Sequence, residues 1–388
     1  MLVKRRILPL IVIAQFCCTS LWFAGNAVMT NLITDFQLPE ETLGLLTSAV
    51  QFGFILGTLL FAILSIADRF SPSKVFFLSA LGGALFNLTS IYSQNTIETL
   101  LLLRFFVGFF LAGIYPIGMK IATDYFQKGL GKSLGFLVGA LVIGTAFPHL
   151  LKSLTANLPW KSVLIGTSIL AVLGGLLIQF FVPDGPFRSA GKSVDLKSFL
   201  KVFRNKNFRS SAFGYFGHMW ELYSFWAFVP VMLKLYAEIH QTSFKFPLWS
   251  FLIIGVGGLA CVLGGFIAEK IGTKKTAISA LALSGICCLA SPLFFSINSV
   301  EIFIAFLLLW GITVVADSPL FSTLVAKNAD PEVKGTALTI VNCLGYSITI
   351  FSILLLNFLA ETTNSTAIFM ILAIGPILGL IALWKKFD

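Results

Sequence analysis

Apolar runs of about 20 residues recur along the whole chain, and short polar stretches separate them. A helix of that length crosses the ~30 Å hydrocarbon core of a bilayer. The runs exceed the length of a transmembrane strand and lack its alternation of apolar and polar residues, so they predict helices. The pattern indicates twelve spans, numbered here in chain order: about 7–33, 43–67, 75–93, 97–120, 132–152, 160–182, 210–236, 248–268, 276–296, 300–325, 335–358 and 366–384.

The composition agrees with an all-α polytopic membrane protein. Of 388 residues, 57% are hydrophobic and 11% are charged, whereas soluble domains carry about 25% charged residues. The six cysteines lie inside apolar runs and form no C-x-x-C pair, so we interpret them as small buried apolar residues. No metal site and no cofactor are expected.

The basic residues predict the orientation of the chain in the membrane. With the N-terminus in the cytoplasm, cytoplasmic segments carry 21 of the 27 Lys and Arg, and the opposite segments carry 4. Cytoplasmic loops are rich in Lys and Arg, so both termini are expected in the cytoplasm. The +10 net charge is spread over short loops, so nucleic acid is not an expected partner. The apolar run after Lys4-Arg5-Arg6 is too long for a signal peptide and lacks an A-x-A site, which predicts an uncleaved first helix.

A basic linker is expected at residues 183–209, between spans six and seven. It starts with Pro-Asp-Gly-Pro, which ends the sixth helix. Two interpretations of its apolar and basic residues stay open, a short helix on the inner membrane surface or a solvated linker. The helical spacing that favours the first involves Leu196, Phe199, Leu200 and Phe203. The linker divides the chain into an N-terminal six-helix bundle, 1–182, and a C-terminal bundle, 210–388.

The two halves repeat each other. Three matches at nearly constant offset are unexpected by chance, and parallel repeats of this kind mark one class of secondary transporter. The matching segments, 201 to 204 residues apart, are Arg104-x3-Gly108 with Gly311, each glycine followed 8 residues later by proline; Ser20-Leu-Trp22 with Ser224-Phe-Trp226; and Asp68-Arg69 with Glu269-Lys270.

Together these features resemble the major facilitator superfamily, whose fold has two pseudo-symmetric bundles of six helices. The family's loop signature, roughly G-x-L-A-D-R-x-G-R-K, has a good second-half copy at 265–275. The first-half copy keeps Asp68-Arg69 but has Leu64 and Ser71 where the signature has glycines, so a weaker inner latch is expected there. The resemblance implies a gating motif made of Asp68, Arg69, Gly265, Glu269, Lys270 and Gly272. It also suggests a carrier of the bacterial inner membrane.

Ionisable residues in spans seven and ten are candidates for proton coupling. A charge at bilayer depth costs roughly 2.5–3.5 kcal/mol on insertion scales, and such residues mark functional sites by default. Glu221 lies mid-span with His218 three residues before it, on one helical face, and Gly214 and Gly217 are expected to leave room beside them. Asp317 in span ten is the second acid. The alternative is a buried acid that only bonds a neighbouring helix.

The resemblance implies that spans one, four, seven and ten line a central cavity, and polar stripes follow these spans and span eleven. Arg104 is suited to an anionic substrate or a carboxylate, because its fork binds carboxylates bidentately. For Lys120, the alternatives to substrate contact are snorkelling to the inner surface and pairing with Asp124. For the other polar residues, the alternative is hydrogen bonding between packed helices. The predicted substrate-binding residues are Arg104, Gln15, Trp22, Asn26, Tyr115, Lys120, Tyr215, Trp220, Trp310, Asn342 and Tyr346.

The function expected from this pattern is secondary transport. The preferred hypothesis is a proton-coupled carrier that moves a small organic solute, with an anion as one option, by alternating access. The alternatives are a proton-driven exporter of drug-like or amphipathic compounds and a membrane sensor that transports nothing. No H-E-x-x-H, G-x-S-x-G or P-loop motif occurs, so no enzyme is expected. One chain contains both halves, which is compatible with a monomer.

Overall fold

A computed structural model describes residues 2–39, 41–126, 130–188, 202–330, 334–363 and 365–384. Ten helices within these residues are long and apolar enough to cross a membrane, and Arg6–Thr19 is a shorter apolar helix. The chain divides into two compact units, Met1–Val194 and Asp195–Asp388.

The first unit contains spans one to six. Its helices are Leu2–Thr19, Ala24–Ala27, Met29–Phe36, Thr42–Ile63, Ile66–Arg69, Pro72–Thr89, Ile97–Leu111, Tyr115–Tyr125, Leu130–Leu154 and Lys161–Phe181. The second unit contains spans seven to twelve. Its helices are Lys206–His240, Phe246–Ile271, Thr273–Ser296, Val300–Ala316, Ser318–Asn328, Lys334–Thr362, the 3₁₀ helix Thr366–Ala373, and Ile374–Trp384.

The first span is not the continuous helix that its apolar pattern predicts. It breaks after Thr19, and the backbone N–H of Trp22 bonds the Thr19 carbonyl at 3.0 Å in place of a bond four residues back. The hydroxyl groups beside the break bond backbone carbonyls: Thr19 Oγ1 donates to Gln15 O and Ser20 Oγ to Cys17 O. Such bonds compete with the helical ladder and bend helices.

Spans four and ten also break, each just before a proline. Pro116 and Pro319 occupy the first turn of the helices Tyr115–Tyr125 and Ser318–Asn328, where a missing N–H is tolerated. In span ten, Pro319 has no N–H to donate to the carbonyl of Val315, four residues earlier. Cys261 Sγ donates to this carbonyl instead. Asp317 is the single residue between the two half-helices of span ten.

The internal repeat extends to helix packing. A Cβ atom added at Gly108 would overlap the carbonyl oxygen of Val50, and one added at Gly311 would overlap that of Ile253. Glycine and carbonyl are both displaced by the same 203 residues from one unit to the other. Spans two and four therefore approach each other as spans eight and ten do, with the missing side chain permitting backbone contact.

The linker differs from its predicted bounds at its end. Lys206 begins span seven, four residues earlier than expected, because the Asn205 side chain caps the helix by accepting from the N–H groups of Asn207 and Phe208. The proposed surface helix falls mostly on residues 189–201, which lie outside the described residues.

Candidate functional site

Glu221 is completely buried and is held by three neutral donors. Its side chain is 1% exposed. Trp310 Nε1 donates to Oε1 at 2.7 Å, and Cys288 Sγ donates to the same oxygen at 3.2 Å. Ser284 Oγ donates to Oε2 at 2.9 Å. Spans nine and ten therefore position the carboxyl group of span seven through hydrogen bonds, with no cation among the described residues that contact it.

His218 pairs with Asp317, not with Glu221. Nδ1 of His218 lies 2.8 Å from Oδ1 of Asp317, and the two side chains are 1% and 0% exposed. His218 and Glu221 therefore contact different partners, although the sequence places them on one helical face. Residues three apart on a helix share a face broadly but point about 60° apart, so different neighbouring helices reach them.

The His218–Asp317 pair retains unused bonding capacity. Nε2 of His218 and Oδ2 of Asp317 have no hydrogen-bond partner among the described residues. The centroid of the imidazole lies 6.1 Å from that of the Tyr215 ring and 6.1 Å from that of the Phe321 ring. The pair therefore keeps buried polar atoms on both residues that can form further hydrogen bonds.

Gly214 and Gly217 do not leave room at this site. A Cβ at Gly217 would overlap the Gly375 carbonyl, and one at Gly214 would lie 2.6 Å from the ring of Phe321. The two glycines let span seven approach spans ten and twelve closely, which replaces the expected role with a packing role.

The aromatic residues of span seven contact different neighbouring helices. Trp220 Nε1 donates to the Ile371 carbonyl at 3.1 Å and so faces span twelve. Tyr223 and Tyr346 share a hydrogen bond between their hydroxyl groups at 2.9 Å, and the Tyr215 ring lies against Gly345. Tyr215 and Tyr346 thus line the contact of spans seven and eleven. Asn342 is half-buried, one turn before Tyr346.

Arg104 of span four is buried, 3% exposed, and contacts neutral groups. Nη2 donates to Asn87 Oδ1 at 2.8 Å and to Ser90 Oγ at 3.1 Å. Asn87 is itself fixed, since its Nδ2 bonds Leu164, Thr167 and Ser168 on span six. Nη1 of Arg104 has no hydrogen-bond partner among the described residues.

The other predicted residues of spans one and four lie either against span two or near the second half of span four. Asn26 and Trp22 of span one contact span two. Asn26 Nδ2 donates to Thr47 Oγ1 at 2.8 Å, and the Trp22 ring lies 4.9 Å from the ring of Phe54. Gln15 is buried against Gly118, and its amide has no hydrogen-bond partner among the described residues. Tyr115 is half-buried at the start of the second half of span four.

Lys120 contacts the gating motif. Its Nζ lies 2.9 Å from Asp68 Oδ1 and 3.9 Å from Asp124 Oδ1. The degraded first copy of the loop signature therefore keeps an ion pair through Asp68.

Arg188, which no sequence pattern singled out, strengthens the same end of the first unit. Its guanidinium donates to the carbonyls of Asp68 and Phe70 at 3.1 and 2.8 Å and lies 2.6 Å from Asp184. Arg69 itself is exposed.

The second copy of the signature matches the family better but makes fewer contacts. Glu269 and Lys270 are exposed, and no ion pair involves them among the described residues. A Cβ at Gly265 or Gly272 would meet nothing within 4 Å, and Gly272 has φ of 97°, which favours glycine.

Partners of Glu221 and Arg104 were missed by the sequence reasoning. Ser284, Cys288 and Ser291 form a helical stripe at spacings of 4 and 3 in span nine, which would have indicated a polar face there. Asn87 and Ser90 of span three stand likewise at a spacing of 3.

Comparisons with known proteins show the family to which the chain belongs. The chain is 24% identical to the uncharacterised MFS-type transporter YceJ of Bacillus subtilis (strain 168) over 350 residues, covering 88% of this chain and 86% of the relative. The structure of the proton:xylose symporter XylE matches with a TM-score of 0.76 at 12% identity, covering 98% of this chain and 95% of that chain.

Two further solved structures have the same fold. A point mutant of the nucleoside transporter NupG has a TM-score of 0.74 at 14% identity, over 97% of this chain and 99% of that chain. The human organic anion transporter MFSD10 (TETRAN) has a TM-score of 0.74 at 16% identity, over 98% and 99%. The profile of the Major Facilitator Superfamily matches residues 11–353. The chain is therefore a multi-pass membrane protein that belongs to the Major Facilitator Superfamily, a family of transporters and not of enzymes.

Proposed function

We propose that this transporter is a proton-coupled carrier of a small organic solute, working by alternating access in a bacterial inner membrane with both termini in the cytoplasm. The observation that carries the proposal is the buried acidic group of spans seven and ten: Glu221 and the His218–Asp317 pair. Two carboxyl groups and an imidazole at bilayer depth are functional by default, because a packing role alone rarely justifies buried charge.

The hydrogen bonds of Glu221 support a proton-carrying role. In the ionised form, all three donors are satisfied by an acceptor-only carboxylate. In the protonated form, the new O–H of Glu221 needs an acceptor. The indole N–H of Trp310 cannot accept, and the thiol of Cys288 accepts only weakly, so the acceptor is the hydroxyl oxygen of Ser284. Ser284 can rotate, since its hydroxyl has a second acceptor in Leu281 O at 3.1 Å. One small rotation thus accommodates both protonation states of Glu221.

Coupling requires that the proton and the solute change each other's affinity. Reorientation of spans seven and ten alters the contacts of Trp310 and Asp317, and with them the proton affinity of Glu221 and of the His218–Asp317 pair. Proton release and solute release then occur from the same conformation. This is what solute accumulation against a gradient demands of a secondary carrier.

The substrate-binding residues divide by their contacts. Arg104 and Gln15 keep buried polar atoms without a hydrogen-bond partner among the described residues, and we assign them to direct substrate contact. The other residues contact neighbouring helices and shape the walls of the proposed cavity: Trp22, Asn26, Tyr215, Tyr346 and Trp310. Lys120, bound to Asp68, belongs to the inner latch with Arg188 and Asp124.

The test begins with a substrate. A thermal-unfolding screen over xylose, uridine, amino acids, carboxylates and lipophilic drugs identifies compounds that stabilise the purified chain, because a ligand that binds only the folded state raises its stability. The best compound is then offered in radiolabelled form to proteoliposomes, with and without an imposed pH gradient.

The wild-type protein should concentrate the solute only with the gradient. Glu221→Gln, which imitates the protonated acid, should still exchange labelled for unlabelled solute but should not concentrate it. Accumulation by Glu221→Gln at the wild-type level and pH dependence would remove Glu221 from the coupling role. Movement of a drug against its gradient towards the outside would favour the exporter.

A further inference from the structure

The guanidinium of Arg104 is half satisfied. Asn87 and Ser90 occupy Nη2, while Nη1 is buried and has no hydrogen-bond partner among the described residues. A buried polar group without a partner is destabilising, and for a charged group the penalty is larger. The arrangement is therefore explained best by a group that binds Nη1 for part of the transport cycle.

The broken first span faces this free edge. A Cβ atom built on Gly25 would lie 3.5 Å from both Cδ and Nη1 of Arg104. Gly25 therefore brings the backbone of the broken span beside Nη1, with room for no more than a methyl group at ordinary contact distance. Discontinuous helices recur at the substrate sites of transporters, where irregular backbone lines a cavity.

Gln51 of span two adds a second unused donor beside the same segment. Thr47 and Phe54 contact the broken segment through Asn26 and Trp22. Gln51 stands one turn after Thr47 and one turn before Phe54, and so on the same helical face. Its side chain is 0% exposed, and neither atom of its amide has a partner among the described residues.

The local charge favours an anion. Arg104 makes no ion pair with the described residues of the first unit, whereas Lys120 of the same span contacts Asp68 at 2.9 Å. One uncompensated positive charge with one free nitrogen suits a single negative charge. A planar carboxylate can accept a charge-assisted bond from Nη1, and the amide of Gln51 is a second unused donor on the face of span two that contacts the broken first span. The paired rings of Trp22 and Phe54 lie on the same contact and suit an apolar substituent.

We propose that Arg104, Gln51 and the backbone at Gly25 form a subsite for the carboxylate of an organic monoanion, so that the transported solute is a monocarboxylate with an apolar body. This inference rests on the proposed transport function, but carboxylate binding can be measured without any transport.

The test compares acids with their amides. Sodium benzoate, benzamide, sodium propionate and propionamide are titrated into the purified full-length chain at constant sodium concentration, and the thermal unfolding midpoint is followed. The acids should stabilise the wild-type protein in a saturable manner, and the isosteric amides should bind roughly tenfold more weakly or worse, since a charge-assisted bond is lost.

Three variants locate the binding. Arg104→Gln should abolish the difference between acid and amide, and Arg104→Lys should keep only part of it, because the point charge lacks the fork. Gly25→Ala keeps the guanidinium and adds a Cβ at an ordinary contact distance, so it should fold and still weaken the acids. As a control, Lys161→Gln removes another cation from the outer end of span six, where Lys161 lies over the ring of Trp160, and should leave the difference unchanged.

The outcomes separate this proposal from the proposed function. An acid-over-amide preference that survives in both Arg104→Gln and Gly25→Ala, or no preference in the wild-type protein, overturns the subsite. Proton-driven accumulation of a sugar or nucleoside without carboxylate binding overturns the subsite and leaves proton coupling intact. Carboxylate binding that depends on Arg104, without gradient-driven uptake of the same acid, supports the subsite and contradicts the coupling.

Discussion

Replacement of Glu221 by glutamine should destabilise the protein less than replacement by alanine. In Glu221→Gln, the amide oxygen can occupy the Oε1 position and accept from Trp310 and Cys288. The amide nitrogen then donates to Ser284 Oγ, whose own hydrogen turns to Leu281 O. Trp310, Cys288 and Ser284 all keep a partner, and the second amide hydrogen is the one new unpaired donor, so the unfolding free energy should fall by about 1 kcal/mol, the lower end of the cost of such a donor.

Glu221→Ala removes the acceptor of the Trp310 N–H in a fully buried site. A buried donor left without a partner costs about 1–3 kcal/mol, and the cavity left by the truncated side chain adds to this. The total loss should be at least about 2 kcal/mol. Glu221→Ala combined with Trp310→Phe should recover part of it, because the orphaned N–H is gone.

Equilibrium unfolding in mixed micelles with increasing SDS, followed by tryptophan fluorescence and circular dichroism, measures these differences. Circular dichroism is the main probe where Trp310 is replaced. Equal destabilisation by glutamine and alanine would refute the hydrogen-bond arrangement around Glu221. A fully additive double variant would refute the role assigned to the Trp310 N–H.

Three further predictions concern other parts of the fold. His218→Leu should lower the unfolding free energy by about 3–5 kcal/mol at neutral pH, because the buried Asp317 carboxylate loses its partner, and by less in acid, where that carboxylate is protonated. Adding Asp317→Asn should restore part of the loss, and simple additivity of the two changes in unfolding measurements would contradict the pair. Gly311→Ala should destabilise by at least about 1 kcal/mol through contact with a backbone carbonyl, while the matched Gly265→Ala in open space should not; equal effects would contradict the close packing of spans eight and ten. Reporter domains fused after the last residue and within 183–209 should both report the cytoplasm, and an external signal from either would overturn the orientation.

Much of the fold could be predicted because apolar length alone determines membrane spans. The positions of spans two and four to twelve follow from runs of apolar residues, and the repeat at 203 residues extends to the Gly108 and Gly311 contacts. The break in span one could not be predicted in this way. It depends on Thr19 and Ser20 hydroxyls that bond the backbone, and hydropathy does not register such bonds.

The candidate site was predictable only in part. Charged residues in apolar runs identified Glu221, Asp317 and Arg104 from their type alone. Their partners depend on which helices are neighbours, and spacing along one helix does not determine that. His218 pairs with Asp317, and Arg104 donates to Asn87, although the sequence pattern favoured an anionic partner for Arg104.

The contacts of the two loop-signature copies also could not be predicted from sequence. Agreement with a family signature favoured the second copy, but Lys120 and Arg188 supply the first copy with contacts from distant parts of the chain. A motif match records residue types within one loop. It does not record cations that reach the loop from the ends of spans four and six.

The central claim is that protons move with the solute through the carboxyl group of Glu221. The most direct measurement uses proteoliposomes that contain a pH-sensitive dye, with no gradient imposed, and follows the dye when the identified substrate is added outside. The wild-type protein should produce a substrate-dependent proton signal, and Glu221→Gln should exchange labelled substrate without one. A proton signal of wild-type size in Glu221→Gln would contradict the claim.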